Sequence, residues 1–185
     1  LSSKFNKKLQ NFFGFGDGPN WWRLGSELVP YKILSYVDID QKHLLNQLQN
    51  ICKYDDEFNS KGFIKCLYPA DNEECFNVTD IENSYLQTLC RKIGYKKIQN
   101  VFLSKLDPYG YIDIHIDDHI SKPELKGCTK FYYQLSNTEG TFFKLGQSGL
   151  LPLDHPLLIN TSNHTHAVAN DSAQSRMVCY MYGQL

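Results

Sequence analysis

Between Ile98 and Leu185, turn signals divide the chain into seven short segments: about 98–106, 111–117, 129–135, 141–145, 156–160, 164–169 and 175–182. Each alternates apolar and polar residues, and a period of two sustained over so many short pieces is a strand pattern rather than a helical one. Pro108-Tyr109-Gly110, Asn137 to Gly140, Gly146 to Gly149 and Asn170-Asp171-Ser172 stand where hairpin and corner connections belong. The C-terminal half is thus read as an antiparallel β-sandwich or barrel.

Upstream, the period changes to that of a helix. With Asp38 or Asp40 as N-cap, Leu44, Leu45, Leu48, Ile51 and Cys52 make one apolar stripe over about 40–52. A second helix is predicted over about 79–93: Thr79-Asp80-Ile81-Glu82 reads as a capping box, and Ile81, Tyr85, Leu86, Leu89, Cys90 and Ile93 recur with helical period. Arg91 and Lys92 before Gly94 close it. Both helices are expected to lay their stripes on the outer face of the larger sheet, against Ile112, Ile114 and Ile116. Residues 1–35, with Phe12, Phe13, Trp21 and Trp22 among turn formers, read as an irregular arm packed over one face of the core. The organisation predicted is one domain over 1–185: an arm to 35, helical support over 36–97 and a β core over 98–185.

Composition narrows the function. The 185 residues are 42% hydrophobic and 14% aromatic, enough for a substantial core, and 19 Lys+Arg against 20 Asp+Glu leave a formal charge of −1. That balance gives no drive toward a nucleic-acid backbone or an anionic membrane. No apolar run is long enough to span a bilayer, and Leu1 to Asn11 has no signal-peptide core. The six cysteines form no C-x-x-C pair; Cys52 and Cys90 fall on helical stripes and Cys179 within a strand, which predicts free thiols in a cytoplasmic protein.

The chemistry concentrates in two places. Strict alternation over Tyr111 to Asp117 puts Ile112, Ile114 and Ile116 on one face and Asp113, His115 and Asp117 on the other. Four or five short strands later, His164 and His166 form a second histidine pair sharing a strand face. A His and a carboxylate from one strand with a His from a distant one is the donor set of the 2-His-1-carboxylate facial triad, and a closed jelly roll can bring two such strands face to face. Arg176 follows on a strand that carries Val178, Tyr180 and Tyr182 on the same side, where a guanidinium can grip a carboxylate with two parallel donors. Asp118 and His119 are placed on a solvated loop, and His43 and His155 are given no chemical role.

At these residues the chain resembles the Fe(II)/2-oxoglutarate-dependent dioxygenases. Their order is H-x-D, several strands, a distal His, and a basic residue about ten positions later; Arg176 stands ten positions after His166, which selects His166 over His164. His166-Ala167-Val168-Ala169-Asn170 with Arg176 resembles the H-x-V-x-N…R ending of the aspartyl/asparaginyl β-hydroxylase-like group, and Leu106 to Ile112 resembles that group's L-x-P-G-x-I approach. Asp117, two residues after His115, is similar instead to the carboxylate of prolyl hydroxylases. The resemblance implies an α+β, mainly β double-stranded β-helix (jelly roll) with N-terminal helices on its larger sheet. It implies Fe(II) held by His115, Asp117 and His166, and 2-oxoglutarate anchored by Arg176, with Lys130, Tyr132 and Ser104 at positions of family co-substrate contacts. With O2, such a protein hydroxylates a C–H bond of a peptidyl side chain or small amino-acid-like substrate and releases succinate and CO2. The competing expectation is a non-redox, cupin-like module that binds a metal or sugar.

Overall fold

A computed structural model of the chain describes residues 1–14, 31–51, 53–55, 63–68, 75–117, 128–146, 149–162 and 164–185. Trp21, Trp22, Cys52, Asp118 and His119 lie outside the described residues, as does the side chain of Cys66.

The elements run α1 (Lys7–Phe13), β1 (Tyr31–Ile33), α2 (Gln41–Ile51), β2 (Lys53–Asp55), β3 (Phe63–Tyr68), β4 (Phe76–Asn77), a 3-10 turn (Val78–Asp80), α3 (Ser84–Ile93), β5 (Lys97–Leu106), β6 (Tyr111–His115), β7 (Thr129–Gln134), β8 (Thr141–Leu145), β9 (Leu157–Ile159), β10 (His166–Asn170) and β11 (Arg176–Gln184). Two antiparallel sheets result. The larger has the order β1-β9-β7-β11-β5-β3-β2 with β4 also on β5, and the smaller has the order β6-β10-β8. This is the jelly roll expected, and all seven segments from 98 onward are strands.

Three apolar layers hold it together. Leu44 and Leu48 of α2 and Leu86, Leu89, Cys90 and Ile93 of α3 cover the outer face of the larger sheet, against Val101, Leu103, Phe131, Cys179 and Met181. Phe102, Leu106, Tyr132, Phe143, Val168, Val178 and Tyr180 fill the space between the sheets. Strand β11 is therefore covered on both faces and buried along nearly its whole length. It bulges between Tyr182 and Gly183, and glycine is required there because a Cβ would lie 2.6 Å from the Lys97 carbonyl oxygen.

In the third layer the N-terminal segment is helical where an irregular arm was expected. Within the predicted irregular arm, Asn6 caps α1 by accepting from the Leu9 N–H, and Gly14 ends it at φ +86°. Leu9, Phe12 and Phe13 pack on Ala167 and Ala169, the outward residues of β10, so the arm's first turns form a helix on the back of the smaller sheet. Lys144 Nζ donates to the Phe12 carbonyl at 2.7 Å and completes that end of α1.

Two helix expectations need correction. Asp40 caps α2 as expected, accepting from the His43 N–H at 2.9 Å. However, Thr79–Glu82 is no capping box: residues 78–80 make a 3-10 turn and α3 begins at Ser84, with Asn83 accepting from the Leu86 N–H. The helices dock on the larger sheet but not on Ile112, Ile114 and Ile116, because β6 belongs to the smaller sheet. Nor does β6 alternate strictly. His115 pairs with His166 and Ile112 with Val168, so the register slips by one residue between them. The bulge sends Ile114 outward to α1 and leaves Ile112 inward with His115. Asp113 does not share the His115 face; it is half-exposed and lies 3.9 Å from Lys8 of α1.

Cys75 and Cys90 are free thiols, and burial pushes the Cys90 thiol up to about 12. No helix among the described residues is long and apolar enough to cross a membrane.

Candidate metal centre and anion pocket

The register that pairs His115 with His166 across β6 and β10 brings the imidazoles side by side, ring centres 4.1 Å apart. Asp117, just past β6, is held by its own N–H on the Thr161 carbonyl at 3.1 Å. One nitrogen from each histidine and one oxygen of Asp117 then lie within 4.8 Å of one another. Asp117 Oδ1 is 3.5 Å from Nε2 of both His115 and His166.

The hydrogen bonds behind these atoms decide what they offer. His115 Nδ1 faces the Asp113 carbonyl at 2.6 Å, and His166 Nδ1 faces the His164 carbonyl at 3.2 Å. A carbonyl oxygen only accepts, so each Nδ1 carries the proton and each Nε2 presents a lone pair. Burial holds His166 down to about 4, which keeps it neutral at physiological pH. Two imidazole lone pairs and a carboxylate oxygen thus converge with no proton to share, a set that suits a divalent first-row cation about 2 Å from each. His115 is 40% exposed against 3% for His166, so the site opens on the β6 side.

The other oxygen of Asp117 is fully engaged. Oδ2 accepts from Lys130 Nζ at 3.0 Å, from Tyr182 OH at 3.2 Å and from the Thr161 hydroxyl. Burial alone would raise this carboxyl, but Lys130 and the two histidines carry it far below the usual range. Burial likewise disfavours the Lys130 ammonium, and Tyr182 and Asp117 outweigh it and raise the group.

Deeper between the sheets lies a second charged centre. Period two on β7 directs Lys130, Tyr132 and Gln134 inward, and on β11 it directs Arg176, Val178, Tyr180 and Tyr182 inward. Arg176 is 1% exposed. Its Nη2 donates to Tyr132 OH at 2.8 Å and its Nε to Gln134 Oε1 at 3.2 Å, while Tyr132 OH donates to the same Gln134 oxygen at 2.8 Å. Among the described residues no carboxylate forms a salt bridge with this guanidinium. Burial works against its charge, but the Tyr132 and Tyr180 phenols hold it above the ordinary value. Ser104, across from Val178 and on the inward side with Phe102 and Leu106, is buried with no hydrogen-bond partner for its hydroxyl. Phe143, 5.3 Å from the Tyr132 ring and 5.9 Å from the His166 ring, connects this centre to the histidines.

All seven candidate residues therefore reach the interior or its mouth, in two groups. His115, Asp117 and His166 converge, with Lys130 on Asp117; Arg176 and Tyr132 join, with Ser104 on the same inner surface. His164 precedes β10, is buried, and packs its ring over Gly146 rather than among the three donors. Asn170 is structural: its amide nitrogen donates to the carbonyls of Leu106, Asp107 and Gln174, tying two turns together. His155 is exposed beside Asp154, and the His43 and Tyr85 rings meet edge to face. Three contributors went unnamed as site residues: Thr161, Tyr182 and Gln134. Alternation alone places Gln134 with Tyr132 and Tyr182 with Arg176, but nothing in the sequence marks Thr161.

No protein-family profile and no curated protein matches the chain. Solved structures do. An oxidoreductase of the 2OG-Fe(II) oxygenase family from Burkholderia pseudomallei is similar at 14% identity and TM-score 0.50, over 76% of each chain. A Pseudomonas putida prolyl-4-hydroxylase is similar at 9% identity and TM-score 0.55, over 84% of this chain and 93% of that one. The viral collagen prolyl hydroxylase of Paramecium bursaria Chlorella virus-1, solved with 2OG, is similar at 11% identity and TM-score 0.50, over 83% of this chain and 95% of that one. At such identities the likeness is one of fold, and the fold they share with this chain is the double-stranded β-helix.

Proposed function

We propose that this protein is an Fe(II)- and 2-oxoglutarate-dependent oxygenase that hydroxylates a C–H bond of a peptidyl side chain or of a small amino-acid-like substrate. The observation that carries the reading is Arg176, a buried cation without a carboxylate partner among the described residues, inside the same two sheets as a His-Asp-His donor set. Burying an uncompensated charge is costly, and a dicarboxylate ligand supplies the missing anion. The fold shared with the oxygenase and the prolyl hydroxylases supports the same reading. A non-redox binding module has no use for such a cation.

In this proposal His115, Asp117 and His166 hold the iron, which with 2-oxoglutarate and O2 supplies an oxidant for the substrate C–H and yields succinate and CO2. The chain's own contribution is geometric and electrostatic. Backbone carbonyls fix both histidine tautomers. Arg176 binds the far carboxylate of the co-substrate, Tyr132 and Gln134 keep the guanidinium from turning, and the Ser104 hydroxyl gains an acceptor. Phe143, Val168 and Val178 exclude water. The half-exposed side at His115 is left for substrate. The free thiols of Cys75 and Cys90 fit a reducing compartment such as the cytoplasm.

The test is an anaerobic titration of the Fe(II) protein with 2-oxoglutarate, following the charge-transfer band. Arg176→Met should keep the iron and lose affinity for 2-oxoglutarate by roughly 30-fold or more, the equivalent of a lost charge-assisted contact of about 2–5 kcal/mol. Equal affinities, or no band in the wild type, would refute the proposal.

A further inference from the structure

Among the described residues, the buried Arg176 and the mostly buried Lys130 bring two cations to the interior, and the geometry separates their tasks. Arg176 meets only neutral groups, whereas Lys130 is already committed: its Nζ is 3.0 Å from Asp117 Oδ2 and lies 4.8 and 5.2 Å from the ring centres of Tyr180 and Tyr182. With Thr161 and Tyr182 also donating to Oδ2, the carboxylate is pinned so that Oδ1 alone faces the two histidines.

We propose that Lys130 is a positioning residue for the metal centre and takes no part in binding the co-substrate: it holds Asp117 to one-oxygen ligation and acts as a built-in counter-cation that weakens divalent-metal binding. The role rests on the metal reading of His115, Asp117 and His166. Its logic is a charge balance. With Lys130 in place, Asp117 and the ammonium cancel, and a divalent cation enters a neutral site. Without the ammonium, the same cation enters a site of charge −1 in a medium of reduced dielectric, where a unit charge a few ångströms away changes affinity by about tenfold or more. A ligand or a merely structural residue behaves in the opposite way, since its loss weakens metal binding.

The experiment measures Mn(II) affinity of the full metal-free chain by the electron paramagnetic resonance of free Mn(II), for wild type, Lys130→Met and Lys130→Arg. Lys130→Met should bind Mn(II) about tenfold or more tightly, and Lys130→Arg, which keeps the charge, should stay within about threefold of wild type. The Co(II) visible spectrum should be shared by wild type and Lys130→Arg and altered in Lys130→Met, where Oδ2 is held only by the neutral Thr161 and Tyr182 hydroxyls and is freer to approach the metal. Affinity of the Mn(II) protein for 2-oxoglutarate should fall in Lys130→Met by clearly less than the roughly 30-fold expected for Arg176→Met, since the lost ammonium acts on the dicarboxylate through its charge alone. Unchanged or weaker Mn(II) binding in Lys130→Met overturns the proposal, and so does a loss of 2-oxoglutarate affinity as large as that of Arg176→Met, which would return Lys130 to the co-substrate. Should Lys130→Met fail to fold, Lys130→Gln carries the same sign with a hydrogen bond retained. If the wild type binds no Mn(II), it is the metal reading itself that fails, a result separate from these.

Discussion

Arg176→Met should leave the ligand-free protein about as stable as the wild type, even as it removes the proposed anchor for 2-oxoglutarate. The guanidinium is 1% exposed, and no carboxylate among the described residues pairs with it. Leaving one charge of a buried pair uncompensated costs about 3–5 kcal/mol, and Arg176 stands in that condition already. Its removal takes a hydrogen-bond partner from the Tyr180 hydroxyl but strands neither Tyr132 nor Gln134. Tyr132 OH still donates to Gln134 Oε1, and the Gln134 amide nitrogen still donates to the Asn137 carbonyl and to Thr141 Oγ1. What is lost is the hydrogen bonds of a charged donor to Tyr132 and Gln134, about 1.5–3 kcal/mol each, while an unbranched methionine fills a similar volume. The two sides cancel to within about 2 kcal/mol, at roughly 2–4 °C in Tm for each kcal/mol. Urea unfolding of the metal-free protein measures it, repeated with 2-oxoglutarate and Mn(II), where the wild type should be the more stable because only its folded state binds the dicarboxylate tightly. A variant less stable than wild type by more than about 3 kcal/mol without ligand would refute the reasoning, since it would mean that the fold itself needs the guanidinium.

Two further outcomes follow from the packing and the donor geometry. Leu89, buried between α3 and the larger sheet, should cost about 2–5 kcal/mol when replaced by alanine, read by urea unfolding, with Mn(II) affinity unchanged because the metal donors belong to the opposite layer. His166→Ala should abolish stoichiometric iron by metal analysis, whereas His164→Ala should keep it, because the His164 ring packs on Gly146 and only its backbone carbonyl serves His166.

The β core and its inward residues were legible because both rest on a period of two that survives without tertiary context. Elements that failed to appear had a competing local signal. Helix α1 carries its own marks, Asn6 as cap, Leu9, Phe12 and Phe13 as stripe and Gly14 as stop, but a glycine-rich aromatic run follows at once and the segment reads as irregular. The capping box at Thr79 lost to Asn83, since Asn and Thr are both good caps and only packing against α2, where Asn83 Nδ2 reaches Gln47 Oε1 at 2.7 Å, decides between them. Strands β1 to β4 are two to six residues long and lie in a region whose strongest periodicity is helical.

The β6 bulge is a different kind of failure, and it bears on the site. A sequence of alternating isoleucines and polar residues is compatible with any register, so the extra residue between Ile112 and His115 leaves no trace in it. Yet the bulge shapes what surrounds the donors. It turns Asp113 out to Lys8 and lets the Asp113 carbonyl receive the His115 Nδ1 proton, so that His115 presents a lone pair. It also turns Ile114 to α1, which ties the outer helix to the strand that carries a metal donor. Residue types and spacing thus name the donors, whereas their protonation and aim come from backbone irregularities and from Thr161, Lys130 and Tyr182 on other strands and loops. These belong to the folded arrangement and become readable only there.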